Sequence, residues 1–274
     1  MRSFLFLLAL LVTIAGTILQ IRSDLQTEKN LVELSGASRH LDGIRLAVLG
    51  DLHATDSPDS LNWASEIVSN IRASSPDLVL LLGDYTSRPA GISNMHLHRE
   101  RVGSILSGTE GSPVVAVLGN YEVWDDREAW ARTLEDHGIE VLQNEVVELT
   151  IDGRELCIRG IGDAFTGQEM ETVFPDSCIG KGLITITHDP QAVFSLGLEG
   201  LVFAAHTHCG QVKIPLFWHL WTPSRAKKEA LCGLYTTEKF TLWVTSGSGN
   251  SLIPMRFLSK SSWDMIKIQK NGLK

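Results

Sequence analysis

An aspartate and a histidine two residues apart (Asp51, His53), a second aspartate (Asp84), an asparagine (Asn120), a histidine (His188) and a His206-Thr207-His208 triplet each stand directly after a short apolar run. Carboxylate, amide and imidazole donors together suit borderline or hard divalent ions, manganese being preferred with iron or zinc as alternatives. No Cys-x-x-Cys pair accompanies them, which argues against a structural zinc. A pair of such ions sharing one carboxylate and leaving a face open is the arrangement that phosphoryl transfer uses.

These side chains can act together only if the elements before them end at one edge. Residues 44–49 run apolar into Gly50, 78–82 into Gly83 and 114–118 into Gly119. Short β-branched or leucine-rich runs that stop at glycine predict buried strands giving way to tight turns. Between the first two, Leu61, Ala64, Ile67, Val68 and Ile71 recur at helical spacing. Trp130, Ala131 and Leu134 mark a second helix closed by Gly138. Residues 141–161 read as strands about an Asp152-Gly153 turn, and 183–187, 201–205, 241–245 and 265–268 as further strands, with a short helix after Pro190. The alternation predicts a layered α/β fold, and in such folds ligands gather at the carboxyl ends of the strands.

The composition bounds the rest. The chain has 274 residues, 43% of them hydrophobic, and a net charge of -8, which excludes a nucleic-acid-coating protein and a disordered one. No linker interrupts the interior, so one domain is expected. Cys157, Cys178, Cys209 and Cys232 are too irregularly spaced for a disulfide framework and are expected as buried or free thiols; Cys209, next to a candidate ligand, weighs for a reducing side. Residues 4–21 carry no charge and lie between Arg2 and Arg22. As a helix they would extend ~27 Å, enough to cross a hydrocarbon core, and the small-residue site of a cleaved signal is missing before Ser23. The expected layout is a membrane anchor over 1–23, a connecting segment over 24–43 and a catalytic domain over 44–274. Arg2 on one side faces Arg22 and Lys29 on the other, so charge bias leaves the orientation open. Oligomeric state leaves no mark in the sequence.

Gly50-Asp51-Leu52-His53, Gly83-Asp84, Gly119-Asn120, Thr187-His188-Asp189-Pro190 and Ala205-His206-Thr207-His208-Cys209-Gly210-Gln211 resemble, in order and spacing, the blocks of calcineurin-like metallophosphoesterases. The resemblance runs over residues 44–257 and is strongest to a membrane-anchored bacterial branch that shares the His-Thr-His ending and an Ile-Pro-x-Arg-Phe tail, here Ile253 to Phe257. It implies a four-layer α-β-β-α sandwich preceded by one transmembrane helix, placed in the bacterial inner membrane as a single-pass protein. It also implies two divalent metal ions, with Asp51, His53 and His208 on one, Asn120, His188 and His206 on the other, and Asp84 bridging. The reaction implied is hydrolysis of a phosphoester or diphosphate bond in a phosphorylated, lipid-linked substrate such as UDP-2,3-diacylglucosamine. A broad-specificity phosphodiesterase or phosphatase is the alternative, and a non-catalytic scaffold of the same fold the remoter one.

One position departs from the pattern. Where most members carry a histidine that resembles a general acid, this chain has Tyr121. A phenol of pKa ~10 is a poorer proton source at neutral pH, which tilts the expectation toward P–O–P cleavage, where the leaving phosphate is already a stable anion. Tyr121 either takes part in catalysis or packs, and His96 or His98 in the loop after Asp84 are the other candidates for the proton. Residues 212–230 combine aromatic and basic side chains, either a membrane-facing loop or a packed one. Arg256 is read as a contact to phosphate or to a carboxylate.

Overall fold

The computed structural model describes residues 16–17, 28–36, 39–108, 111–214, 218–219 and 222–270. Strands β1 (Glu28–Gly36), β2 (Arg45–Leu49), β3 (Leu78–Leu81), β4 (Val114–Ala116), β5 (Glu140–Val141) and β14 (Ser262–Lys270) form one six-stranded sheet in the order β1-β14-β2-β3-β4-β5. A second six-stranded sheet has the order β12-β13-β9-β8-β7-β6, from β6 (Glu145–Ile151), β7 (Arg154–Ile161), β8 (Gly182–Thr187), β9 (Gly200–Ala204), β12 (Gly233–Thr236) and β13 (Phe240–Val244). A small ribbon pairs β10 (Lys213–Ile214) with β11 (Trp218–His219).

Alternation along the strands builds the layers. Leu46, Val48, Leu78 and Leu80 of the first sheet meet Ile158, Ile184, Ile186 and Phe203 of the second in one buried core. The opposite face of the first sheet, Ala47, Leu49, Val79 and Leu81, packs on helices α1 (Pro58–Ala73), α2 (Met95–Leu106) and α3 (Arg127–Asp136). The outer face of the second sheet receives a single turn-and-a-half, α4 (Gln191–Ser195), through Ala192 and Val193. Helix, sheet, sheet and helix follow one another, so the four layers are present but unequal. Helix α1 begins where the sequence calls for it: Ser57 caps it by accepting from the Ser60 amide, Pro58 occupies the first turn, and Ala64, Ile67, Val68 and Ile71 are its buried stripe.

Two expectations change here. Residues 28–36, within the expected connecting segment, form strand β1, which pairs in parallel with β14 from Glu28 opposite Ser262 to Gly36 opposite Lys270. The cysteines are not free: Cys157 is bonded to Cys178 and Cys209 to Cys232. The partners are brought together by tertiary structure, β7 against the segment before β8 and the ligand loop against the start of β12, which spacing along the chain does not reveal. A bonded Cys209 also removes the free thiol on which the expectation of a reducing side rested. The apolar run 4–21 lies outside the described residues apart from Gly16 and Thr17; among the described residues no helix is long and apolar enough to cross a membrane.

Candidate metal centre

Strands β2, β3, β4, β8 and β9 all deliver a candidate ligand at their carboxyl ends, and the two sheets bring those ends together. Asp51, His53 and His208 form one group, and Asp84, His188 and His206 a second; within each, the donor atoms all lie within 4.8 Å of one another. Asn120 joins the second group, its Oδ1 3.2 Å from His188 Nε2. Asp84 Oδ2 stands between the groups, 3.6 Å from His53 Nε2 and 3.4 Å from His188 Nε2. Every residue expected as a ligand is therefore at one locus, and each is buried.

The backbone is bent to achieve this. Asp51, His53, Asp84, His206 and His208 all adopt positive φ, between 48° and 68°. Non-glycine residues rarely sit there, and each costs on the order of 1 kcal/mol, a strain that clusters at functional sites. The turns that carry Asp84 and Asn120 are pressed together: a Cβ on Gly83 would lie 2.5 Å from the Gly119 amide nitrogen, and one on Gly119 would strike Asp84 Oδ1. Only glycine fits at either point.

One residue to which the sequence assigned no role locks these turns. Glu122 is fully buried, and its carboxylate accepts from the amides of Asp84 (2.8 Å), Tyr85 (2.8 Å), Thr86 (3.2 Å) and Gly119 (2.9 Å). It stands in the Gly119-Asn120-Tyr121-Glu122 block, so the signal was its place in a ligand-bearing turn. Arg256, read from the sequence as a contact to phosphate or to a carboxylate, is the second residue that fixes the site. It is fully buried and does not line the open face of the site. Its Nη2 lies 3.0 Å from His208 Nδ1 and donates to the carbonyls of Ser246, Gly247 and Gly249 at 2.9, 3.1 and 2.6 Å. This corrects the expectation of a phosphate contact: the guanidinium gathers the β13–β14 loop, backs the candidate ligand His208 and lies near enough to Asp51 to oppose the effect of burial on its carboxyl.

The electrostatics fit divalent cations. Burial lowers His53 to about 4 and His206 to about 3, and takes His208 well below its ordinary range, so these imidazoles are neutral, the form that binds metal. Their donor nitrogens crowd one another, His53 Nε2 3.0 Å from His208 Nε2 and His206 Nδ1 3.1 Å from His188 Nε2. Burial pushes the Asp51 carboxyl up to about 7, and its Oδ2 has no hydrogen-bond partner among the described residues. Asp84 goes the other way: burial raises it, but His188 beside it outweighs that and holds it at about 2. A buried carboxylate with one oxygen lacking a donor, grouped with the neutral imidazoles of His53 and His208, is what a cation would satisfy.

Above this floor opens a cavity of about 330 Å³ lined by Asp84, Asn120, Tyr121, His206 and His208 below and by Trp124, Phe165, Leu252, Ile253 and Met255 at the mouth. Tyr121 is buried, packs edge-on to the His53 ring at 4.8 Å, and turns its hydroxyl to Ser251 Oγ at 3.3 Å. His98 is buried elsewhere, on α2 with its Nε2 3.1 Å from Thr86 Oγ1 and its ring edge-on to Trp130 at 6.3 Å, and neither it nor His96 lines the cavity. The loop before Gly167 was not foreseen as part of the site. Asp163 accepts from the Phe165 and Thr166 amides, fixing a turn that lays Phe165 4.7 Å from the His206 ring.

Comparison with known proteins agrees with this geometry. The profile of the calcineurin-like phosphoesterase family matches residues 44–210. A transmembrane protein with metallophosphoesterase domain from Danio rerio is 29% identical over 81% of this chain and 52% of its own length, so the chain spans about half of that relative. The metallophosphoesterase YkuE of Bacillus subtilis is 24% identical over 86% of this chain and 82% of its own. The phosphodiesterase YaeI of Escherichia coli is 26% identical, covering 82% of each.

Proposed function

Since the chain belongs to the calcineurin-like phosphoesterase family and its chemistry is that of a metal-dependent phosphoester hydrolase, we propose that it hydrolyses a phosphodiester or diphosphate bond in an amphiphilic substrate while tethered to a membrane. The observation that carries the hydrolytic reading is the position of Asp84 between two complete ligand groups. Asp51, His53 and His208 would hold one ion and Asn120, His188 and His206 the other, with Asp84 shared. Two divalent ions, manganese by preference, would supply water activation and neutralise charge on the phosphoryl oxygens.

The chain's own residues do the rest. Glu122 and Arg256 hold the ligand turns so that no reorganisation is required when substrate arrives. The Tyr121 hydroxyl, at the cavity wall beside Ser251, donates a hydrogen bond toward the leaving oxygen where an imidazole would donate a proton, which favours leaving groups that need no proton. The apolar mouth excludes water around the scissile phosphate and accepts an apolar substituent.

The uncharged run at 4–21 and the likeness to a transmembrane protein of Danio rerio support a single-pass anchor, and the likeness to proteins of Bacillus subtilis and Escherichia coli supports a bacterial inner membrane as its place. The two disulfides support a catalytic domain on the oxidising face. UDP-2,3-diacylglucosamine is the sharpest substrate assignment, yet a cytosolic nucleotide-lipid needs the domain inside; a lipid-borne phosphodiester presented outside fits the disulfides better. The test offers purified full-length protein, with manganese, three substrates: bis-p-nitrophenyl phosphate, UDP-2,3-diacylglucosamine and a phospholipid in mixed micelles. Metal-dependent, chelator-sensitive cleavage of at least one is expected. Failure with all three under manganese, iron and zinc would overturn the proposal, and cleavage of the aryl diester alone would favour the broad-specificity alternative.

A further inference from the structure

The strand register fixes where the chain enters the domain. Glu28, the first residue of β1, lies opposite Ser262 of β14, and β14 pairs antiparallel with β2 so that Asp264 faces Val48. Continuing that register puts Ser262 beside Gly50, the residue before the ligand Asp51. Glu28 and Gly50 thus occupy one row, separated by two strand spacings or ~10 Å. Because β1 runs opposite to β2, β3 and β4, Glu28 stands at the same end of the sheet at which those strands deliver their ligands. Only residues 22–27 separate Glu28 from the apolar run, and six residues reach at most ~21 Å. An anchor formed by the apolar run would therefore be tethered within that reach of the ligand-bearing end of the sheet rather than at its opposite end.

The same rim carries large apolar side chains in the open. Trp124 is 53% exposed, Phe165 41%, Leu252 54% and Ile253 45%. They come from three separate segments, after β4, after β7 and after β13, yet all line the one cavity. Trp124 and Phe165 rings lie 6.1 Å apart, and Trp124 continues to Tyr121 at 5.1 Å. A contiguous exposed apolar patch calls for an apolar partner, and an aromatic-rich rim suits the headgroup layer.

The geometry points to the rim of the metal centre as a bilayer-docking surface: Trp124, Phe165, Leu252 and Ile253 seat in the membrane that holds the tether, and the scissile phosphate is drawn from the headgroup layer straight onto the metal floor. This rests on the proposed membrane-tethered phosphoesterase and adds to it an orientation and a substrate source, a phosphoester lipid of the same bilayer. A short tether at the ligand-bearing end of the sandwich would hold that end toward the membrane, and the apolar rim makes that orientation favourable.

The experiment uses the full chain reconstituted in phosphatidylethanolamine–phosphatidylglycerol vesicles, with an environment-sensitive fluorophore on Leu252→Cys and, separately, on Asp152→Cys in the exposed β6–β7 turn at the far end. Lipids brominated in the acyl chain should quench the first label ~3-fold or more and leave the second nearly unchanged. Equal quenching of both, or none of either, would overturn the docking orientation. Unlabelled protein gives a second measure: KM for p-nitrophenyl alkyl phosphodiesters should fall ~10-fold or more from methyl to octyl as the chain enters the apolar mouth. A flat series would overturn the role of the rim in binding. Quenching at position 252 without hydrolysis of any diester would uphold the docking and defeat the phosphoesterase reading, so the two fail separately.

Discussion

The floor and the rim of the site are built on opposite principles. The floor is polar, buried and over-determined: five ligand residues in the left-handed region, two glycines with no room for a side chain, and a glutamate accepting four backbone amides. The rim is apolar, half-exposed and supplied by loops that share little beyond their position at the strand ends. The difference separates two tasks. Strain and buried charge fix atoms where chemistry needs them, at a cost the surrounding sandwich offsets, whereas exposed apolar side chains select which molecule reaches them.

The sharpest way to break this division is at its shared ligand. Asp84→Asn should lower kcat on every phosphodiester by ~10³-fold or more and reduce metal content, with circular dichroism unchanged; retained turnover would remove Asp84 from the centre. Next comes the clamp. Glu122→Gln leaves one acceptor oxygen for four amides, and is expected to cost ~2–4 kcal/mol in chemical denaturation and to lower kcat ~10- to 100-fold alike for aryl and lipid substrates. An effect confined to one substrate would place Glu122 with the rim instead. Replacing Cys209 and Cys232 together by serine opens a loop whose ends are 23 residues apart, and should cost about 3 kcal/mol of stability on the chain-entropy account. It should also weaken metal binding, since Cys209 follows His208 directly; equal metal affinity in mutant and parent would detach the disulfide from the floor.

Two smaller effects refine the boundary. Tyr121→His supplies a better proton donor at the junction of floor and rim, so hydrolysis of alkyl diesters should rise up to ~10-fold while diphosphates change little. Should alkyl diesters be indifferent to it, leaving-group protonation is not what Tyr121 withholds. His98 lies off the site, and burial lowers its pKa from 6.5. A depressed histidine stabilises the fold fully above pH 6.5, and that contribution is lost as pH falls from there through the folded-state pKa, because the unfolded chain takes up the proton first. With metals bound, His98→Gln should therefore show a shallower loss of Tm between pH 7 and 5 than the parent; parallel curves would contradict the assigned burial.

Much of the floor was legible because its residues follow local rules. Apart from Arg45, runs 44–49, 78–82 and 114–118 are apolar and lead into glycine, and the structure places β2, β3 and β4 there with Asp51, Asp84 and Asn120 just beyond. Helix α1 follows from its cap and its stripe. What was not legible depends on contacts far apart in sequence. Strand β1 sits at a sheet edge with Leu31 exposed and Leu34 buried, too little apolar pattern to distinguish EKNLVELSG from a polar connector. Each disulfide joins residues more than 20 positions apart, and cysteine spacing cannot specify pairing. Arg256 reaches carbonyls of its own loop and a histidine 48 residues away, a role that composition does not signal. The rim collects Trp124, Phe165 and Ile253 from three segments with no shared period, so nothing short of the fold assembles it.

The central claim is a dinuclear metal floor, and the most direct test is elemental analysis of full-length protein purified without chelators, alongside aryl phosphodiester turnover before and after metal addition. Two divalent ions per chain, with activity removed by chelation and restored by manganese, is the predicted result. Fewer than one ion per chain with no activity on metal addition would contradict it.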